Sequence, residues 1–519
     1  MTNSNRREFF ADVGRGMLIA AVGSATALDM GLGSVFAGDA SESLTFGSLE
    51  PLVGLMEDTP PERILSVATQ RLSAGTELRH LVAAAALANA RAFGGEDYVG
   101  FHTMMAMAPA YHMAQELPGS RQALPVLKVI HRNSRRLQET GGRKAEVLHA
   151  MQATHLPEGK ANGEALRSAV REKNLQKAEQ TFAALAQGSA EDAFNQLLLA
   201  VEDATEVHRV VLPYRCWDML ELIGKEYAHA LLRQSVHYCV KQETPNYVNA
   251  FAESRSILPK MFDQHRLEGK TLGTREADDA WVDHMSQTIF KATPAQAADA
   301  AAAALAEGMA PAALAEAISL AANQLVLRDA GRPANQTSPG KPVGSVHGDS
   351  IGVHACDSAN AWRNMARVSN ARNTKACLIL AAYQVAKDRL ARGGDFLNWQ
   401  PYPRKEELAK VHSTDREKLL QELDDAVRNK AQAHASAVVA HYGKQGHPAR
   451  PVFDLLLQYA VSEDGALHAE KYYRTTSEEF AATRPAFRWR QLIALSRVTA
   501  SEYGQPAPGY DEARRLLGV

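Results

Sequence analysis

Cysteine is scarce in this 519-residue chain: Cys216, Cys239, Cys356 and Cys377 are all there is, none in CxxC or CxxCH spacing. That excludes zinc ribbons, attached c-type haem and thioredoxin-like chemistry. Isolated cysteines on apolar helix faces are expected as buried free thiols. Aromatic residues are only 7% of the chain, and no series of Val/Ile/Thr/Tyr stretches alternates with hairpin turns, so strands are not expected. Charge of one sign is missing too: 57 basic residues stand against 59 acidic, a net of -2. No global field draws a polyanion, and nucleic acid is excluded as a partner. Nor is there a long apolar run. The stretch from Met17 to Leu28 is interrupted by Asp29, whereas crossing a bilayer takes ~20 residues, so no stable membrane anchor is expected.

What the first forty residues do contain is Asn5-Arg6-Arg7-Glu8-Phe9-Phe10, the short apolar stretch, and the small-residue site Val35-Phe36-Ala37. This resembles a twin-arginine export signal over residues 1–37. The resemblance implies the twin-arginine export machinery as a partner, a periplasmic or secreted location, and export of a chain already folded, a route often taken by proteins loaded with a metal or redox group.

From Ser41 onward apolar positions recur at three and four residues, as in Leu81, Ala84, Ala85 and Ala88, and Ala-rich runs such as Ala297 to Ala306 carry high helix propensity. The chain reads as all-α. The long polar loop Gly331 to Gly352 stands out as a functional or surface excursion.

An internal repeat is more informative. Asp97 stands five residues before His102, Asp203 before His208, Asp349 before His354 and Glu463 before His468. Composition alone gives about two such pairs among 18 histidines, and six occur. Each of these four is preceded by a helical hairpin turning at a glycine (Gly75, Gly188, Gly308, Gly443). Ten residues after the histidines stand His112, Asp218, Asn364 and Glu478, and twenty-nine after them stand His131, His237, Tyr383 and Arg497. The expected architecture is four pseudo-repeated helical units around a central polar cavity, in two pseudo-symmetric halves, 38–270 and 271–519.

Two roles compete for the recurring histidine. It is either a core residue satisfied by the acid before it, or one of four imidazoles facing one centre, each oriented by a carboxylate as metal ligands are. The second reading makes His102, His208, His354 and His468 candidate ligands for a transition metal ion, Fe first, with Cu, Mn or Zn as alternatives. His131, His237 and Tyr383 are then candidate proton-handling catalytic residues on a second polar ring. A rival metal reading uses Glu146/His149 and Glu226/His229, Glu-x-x-His pairs that on a helix share one face, as in carboxylate-bridged di-iron bundles. The Ser345, His347 and Asp349 of Gly344 to Ser350 are read as a flexible loop bringing His347 near His354, since no strand-turn-helix elbow accompanies them. Arg132 to Arg136 and Arg484 to Arg490 read as solvated or paired helix faces, and Tyr472, Tyr473, Phe480, Phe487 and Trp489 as core.

At Val353-His354-Ala355 to Ala361, and at the other three histidine helices, the chain resembles the questin oxidase-like family. The stretches Glu463 to Tyr473 and Thr483 to Arg490 are similar to an all-helical exported bacterial family with twin-arginine leaders. The first resemblance implies an oxidase of cyclic or aromatic substrates. The leading functional expectation is an exported metal-dependent oxidoreductase acting on a small-molecule substrate. The alternatives are a helical-repeat binding or scaffold protein with structural histidines, and a hydrolase.

Overall fold

Helix propensity and well-made caps account for most of the chain. In a computed structural model, which describes residues 44–156 and 162–519, the described residues form helices joined by turns, with only isolated bridges and no strand. The fold is all-α. The expected export signal lies outside the described residues. Leu44–Val519 makes one compact unit, and no described helix is long and apolar enough to cross a membrane.

Sixteen helices, labelled α1–α16 in chain order, position the site. They are α1 (Pro61–Ser73), α2 (Leu78–Phe93), α3 (Tyr98–Glu116) and α4 (Ala123–Thr140), then α5 (Leu175–Leu185), α6 (Ala190–Val201), α7 (Val207–Ile223) and α8 (Ala228–Gln242). The second half contributes α9 (Pro294–Ala306), α10 (Pro311–Arg328), α11 (Ile351–Val368), α12 (Ala371–Arg392), α13 (Gln432–Lys444), α14 (Arg450–Ser462), α15 (His468–Ala482) and α16 (Trp489–Glu502). Helix α3 packs on α7, α7 on α11, α11 on α15, and α15 back on α3, which closes a ring of four. Each ring helix also packs on the helix that follows it, α4, α8, α12 or α16.

The ring helices start where side chains satisfy their first backbone N–H groups. Asp97 accepts from Gly100 N, Glu206 from His208 N and Arg209 N, and Ser350 from Val353 N. Helix α15 instead starts after Leu467, which takes a left-handed conformation. These starts put His102, His208, His354 and His468 within the first five positions of their helices. Turns before the ring helices use Gly75 and Gly308 at positive φ. The fourth hairpin turns at Gly446 (φ +78°), and Gly443 lies inside α13. There a Cβ would meet the Trp489 ring at 2.5 Å, so its small size serves close packing and not the turn.

Candidate functional site

The four histidines converge. Ring centroids are 4.8 Å apart for His102 and His208, 6.1 Å for His208 and His354, 5.2 Å for His354 and His468, and 5.4 Å for His468 and His102. Every ring is buried. His102 Nδ1 lies 2.7 Å from the Tyr98 carbonyl, His208 Nδ1 2.7 Å from a Glu206 carboxylate oxygen, and His468 Nδ1 3.2 Å from the Gly465 carbonyl. Carbonyl and carboxylate oxygens only accept, so those Nδ1 atoms carry the proton and the Nε2 atoms present lone pairs. His102 Nε2 and His208 Nε2 face each other at 3.3 Å, and the Nε2 atoms of His354 and His468 are buried without a hydrogen-bond partner. Two lone pairs at that distance repel unless a proton or another cation stands between them.

The surroundings oppose protonation. Burial, first, and the Lys471 ammonium push His102 and His468 well below the ordinary imidazole range. Burial, then His208 and Lys471, bring His354 down to about 3. The partial positive charge at four helix N-termini acts in the same direction. Glu206 is the counterweight. Burial would raise it, but His208 and the Tyr238 hydroxyl, at 2.7 Å, hold it ionised at about 2.

Aromatic rings wall the tetrad. Tyr98 packs at 4.3 Å on His102 and 5.9 Å on His208, Phe101 at 5.0 and 5.1 Å on the same pair, and Tyr238 lies behind Phe101. Tyr98 is 36% exposed, so on this side one ring separates the tetrad from solvent. On the His468 side the loop from Gly344 to Ser350 closes the site. Its expected flexibility is corrected by its anchors: Val346 N donates to Ser501 Oγ at 3.0 Å and Gly348 N to Glu502 at 2.8 Å. A Cβ on Gly348 would stand 2.4 Å from the His468 Cβ, so only glycine allows this approach. Burial brings the Glu502 carboxyl up to about 7.

Below the tetrad a polar column follows the ring axis. Lys471, one turn after His468, is buried, and burial, opposed by Asp357 and Glu470, lowers it to about 8. Asp357, one turn after His354, accepts from Thr475 at 2.8 Å and is raised by burial. Arg215 reaches Thr475 and Asp218, both at 3.4 Å, and Asp218 meets His112 at 3.2 Å. Beside them Glu478 accepts from Asn364 at 3.3 Å and Tyr214 at 3.1 Å. The positions ten residues after the histidines thus pair at the far end of the ring, about 15 Å down the helices at 1.5 Å per residue.

The acids five residues before the histidines do not orient them. Asp97 binds Arg136, Asp203 binds Arg171, Asp349 binds Arg332 and Lys341, and Glu463 accepts from Gly504 N and Gln505 N. Among the described residues the carboxylate hydrogen-bonded to a tetrad imidazole is Glu206, two residues from its partner. Nor do the positions at twenty-nine share a neighbour. His237 sits between Glu96 (3.0 Å) and Glu179, Tyr383 donates to Glu253 (3.0 Å), Arg497 binds Gln432 and the Asp329 carbonyl, and His131 is half-buried beside Gly509. The Glu146/His149 pair lies outside any helix, with Glu146 on Arg91 at 3.2 Å, so it presents no shared helical face. His347 is buried and burial lowers it to about 4, and Ser345 donates to the Pro342 carbonyl, so the loop assembles no nucleophile-base pair. Arg484 and Arg490 are ion-paired as expected. All four cysteines are buried free thiols.

Lys471, Asp357, Arg215, Tyr98 and Glu206 were missed as site residues. Lys471 and Asp357 stand three residues and Arg215 seven residues after their histidines, a polar stripe on the ring helices, while Tyr98 and Glu206 precede theirs by four and two. Among the described residues no group of three or more His, Cys, Asp and Glu side chains is arranged, as it stands, to hold a metal ion. The chain matches no protein-family model, curated protein or solved structure with which it was compared.

Proposed function

We propose that the imidazole tetrad is the centre of an exported oxidoreductase that binds a transition metal ion and acts on a small organic substrate entering past Tyr98. The observation that carries this is the inward-facing set of buried Nε2 atoms, with three of the four opposite nitrogens held by protein acceptors. Ligand nitrogens 2.0–2.1 Å from one ion at a tetrahedral angle stand about 3.3 Å apart, which is the His102–His208 spacing. The other two rings would close on the same point by side-chain rotation. The ion would be held by His102, His208, His354 and His468, and it would supply Lewis acidity or redox capacity, with Fe, Cu, Mn and Zn all compatible with neutral imidazoles.

The remaining residues divide the other tasks. Tyr98, Phe101 and Tyr238 give a flat apolar wall suited to a cyclic substrate. The helix N-termini and Lys471 favour a substrate that becomes anionic at the centre. Protons are handled by groups that touch the tetrad or its column, namely Glu206 and Lys471, in place of His131, His237 and Tyr383. The four ring helices with their hairpins are read as copies of one unit, each delivering one histidine.

A second reading, a helical binding or scaffold protein with structural histidines, is favoured by the lack, among the described residues, of any group of three ligands already in place. Metal analysis of protein matured through its own export route separates the two. About one equivalent per chain, lost in His354→Ala, supports the enzyme. Less than about a tenth of an equivalent, with His354→Ala no different, leaves the structural reading.

A further inference from the structure

We propose a second site, unrelated to the tetrad, that binds a small oxyanion such as a phosphate or a dicarboxylate. A cavity of about 190 Å³ is lined by Arg167, Arg171, Arg255 and Arg372 together with Glu202 and Asp203. A single water needs roughly a tenth of that space. Its walls come from the helix Asn162–Arg171, the end of α6, the helix Ala252–Gln264, and the start of α12.

Formal charge around this space does not balance. Four guanidinium groups face two lining carboxylates. Arg171 grips Asp203 with two bonds of 2.7 Å, while Arg167 and Arg372 share Glu202. Arg255 turns one nitrogen, Nη2, to Glu243, but that carboxylate also binds the buried Arg209 at 3.1 Å and so serves two cations. The remaining acid, Glu164 on Arg167, is more than half exposed and screened by water. Arg255 Nε is buried without a hydrogen-bond partner. A desolvated donor and an excess of positive charge around an open space are the complement of a small anion, and guanidinium forks match carboxylate and phosphate oxygens in pairs. Arg171 and Arg372, 42% and 32% exposed, leave the cavity a mouth to solvent.

Calorimetric titration of the full mature chain with inorganic phosphate, and separately with succinate, tests this against chloride at matched ionic strength. Saturable binding of one anion per chain is expected, with Kd below about 1 mM, weakened at least about tenfold in both Arg255→Gln and Arg372→Gln. Phosphate alone, succinate alone, or both binding in this way supports the site and identifies the oxyanion class. Two results overturn it: no saturable heat with either anion, or affinity unchanged in both variants. Urea midpoints of the two variants without ligand show whether each is folded, and one folded variant suffices for the comparison.

Discussion

The four histidines on the ring helices and the four positions twenty-nine residues after them, on the helices that follow, are equally regular in sequence, yet only the first set converges. His102, His208, His354 and His468 sit at the starts of helices that pack on one another, so their side chains share an interior. His131, His237, Tyr383 and Arg497 lie on α4, α8, α12 and α16, each backed against a different outer element, and the last three bind partners of their own. A regular spacing along the sequence therefore means a shared site only where the elements bearing it touch each other. The two sets also differ in charge. Burial lowers His102, His354 and His468 and favours their neutral form, whereas His237 is clasped between carboxylates and its ionised form is favoured.

The largest expected contrast is in stability. His237→Phe leaves Glu96 and Glu179 without their shared partner and is expected to cost about 3 kcal/mol, with Arg233 limiting the loss. His354→Phe replaces a neutral buried ring, whose Nε2 has no partner, by an apolar one, and is expected to shift metal-free stability by less than about 1 kcal/mol. Urea unfolding of both proteins after chelation checks this. Equal losses would dissolve the distinction between the sets.

A smaller effect comes from pH. Burial alone would lower His237, but its bonds to Glu179 and Glu96 outweigh that and raise it. The same bonds, against the upward push of burial, lower both carboxyls. Arg233 and Lys241 are the other charges in this cluster. A raised histidine adds stability that is fully present below about pH 6.5 and is lost as pH rises through its folded value. The lowered carboxyls add stability that is present above about pH 4.3 and is lost as pH falls. The urea midpoint is thus expected to fall on the alkaline side of pH 6.5 in the parent chain, and this slope should flatten in His237→Gln. An unchanged slope would place the titration elsewhere. The smallest effect belongs to His131, half-buried on α4, where His131→Gln is expected to stay within about 0.5 kcal/mol of the parent.

The all-helical class was legible in alanine-rich runs and three-to-four periodicity, and the tetrad in four histidines placed alike near the starts of their helices. The carboxylate partners were misassigned because a residue five before His102 or His354 lies at or beyond the helix start. Helical geometry says nothing of its direction there, and Arg136 or Arg332 claims it from a distant segment. Glu206 was overlooked because it looks like an N-cap, which it is, while also binding His208. Lys471 and Asp357 were overlooked because a buried ion is visible in sequence only once the ring's interior face is known. The loop at Gly348 was read as mobile because its composition is polar and glycine-rich, and its anchors Ser501 and Glu502 lie some hundred and fifty residues away.

Those anchors bear on the order in which the chain is made. Each imidazole of the centre comes from a stretch more than a hundred residues from the next, and the backbone at Gly348 is pinned by side chains that follow it by about one hundred and fifty residues. A growing chain that has not yet reached His468 holds at most three sides of the centre. Whatever ligand the centre takes therefore meets all four sides only once the residues up to Glu502 have been made.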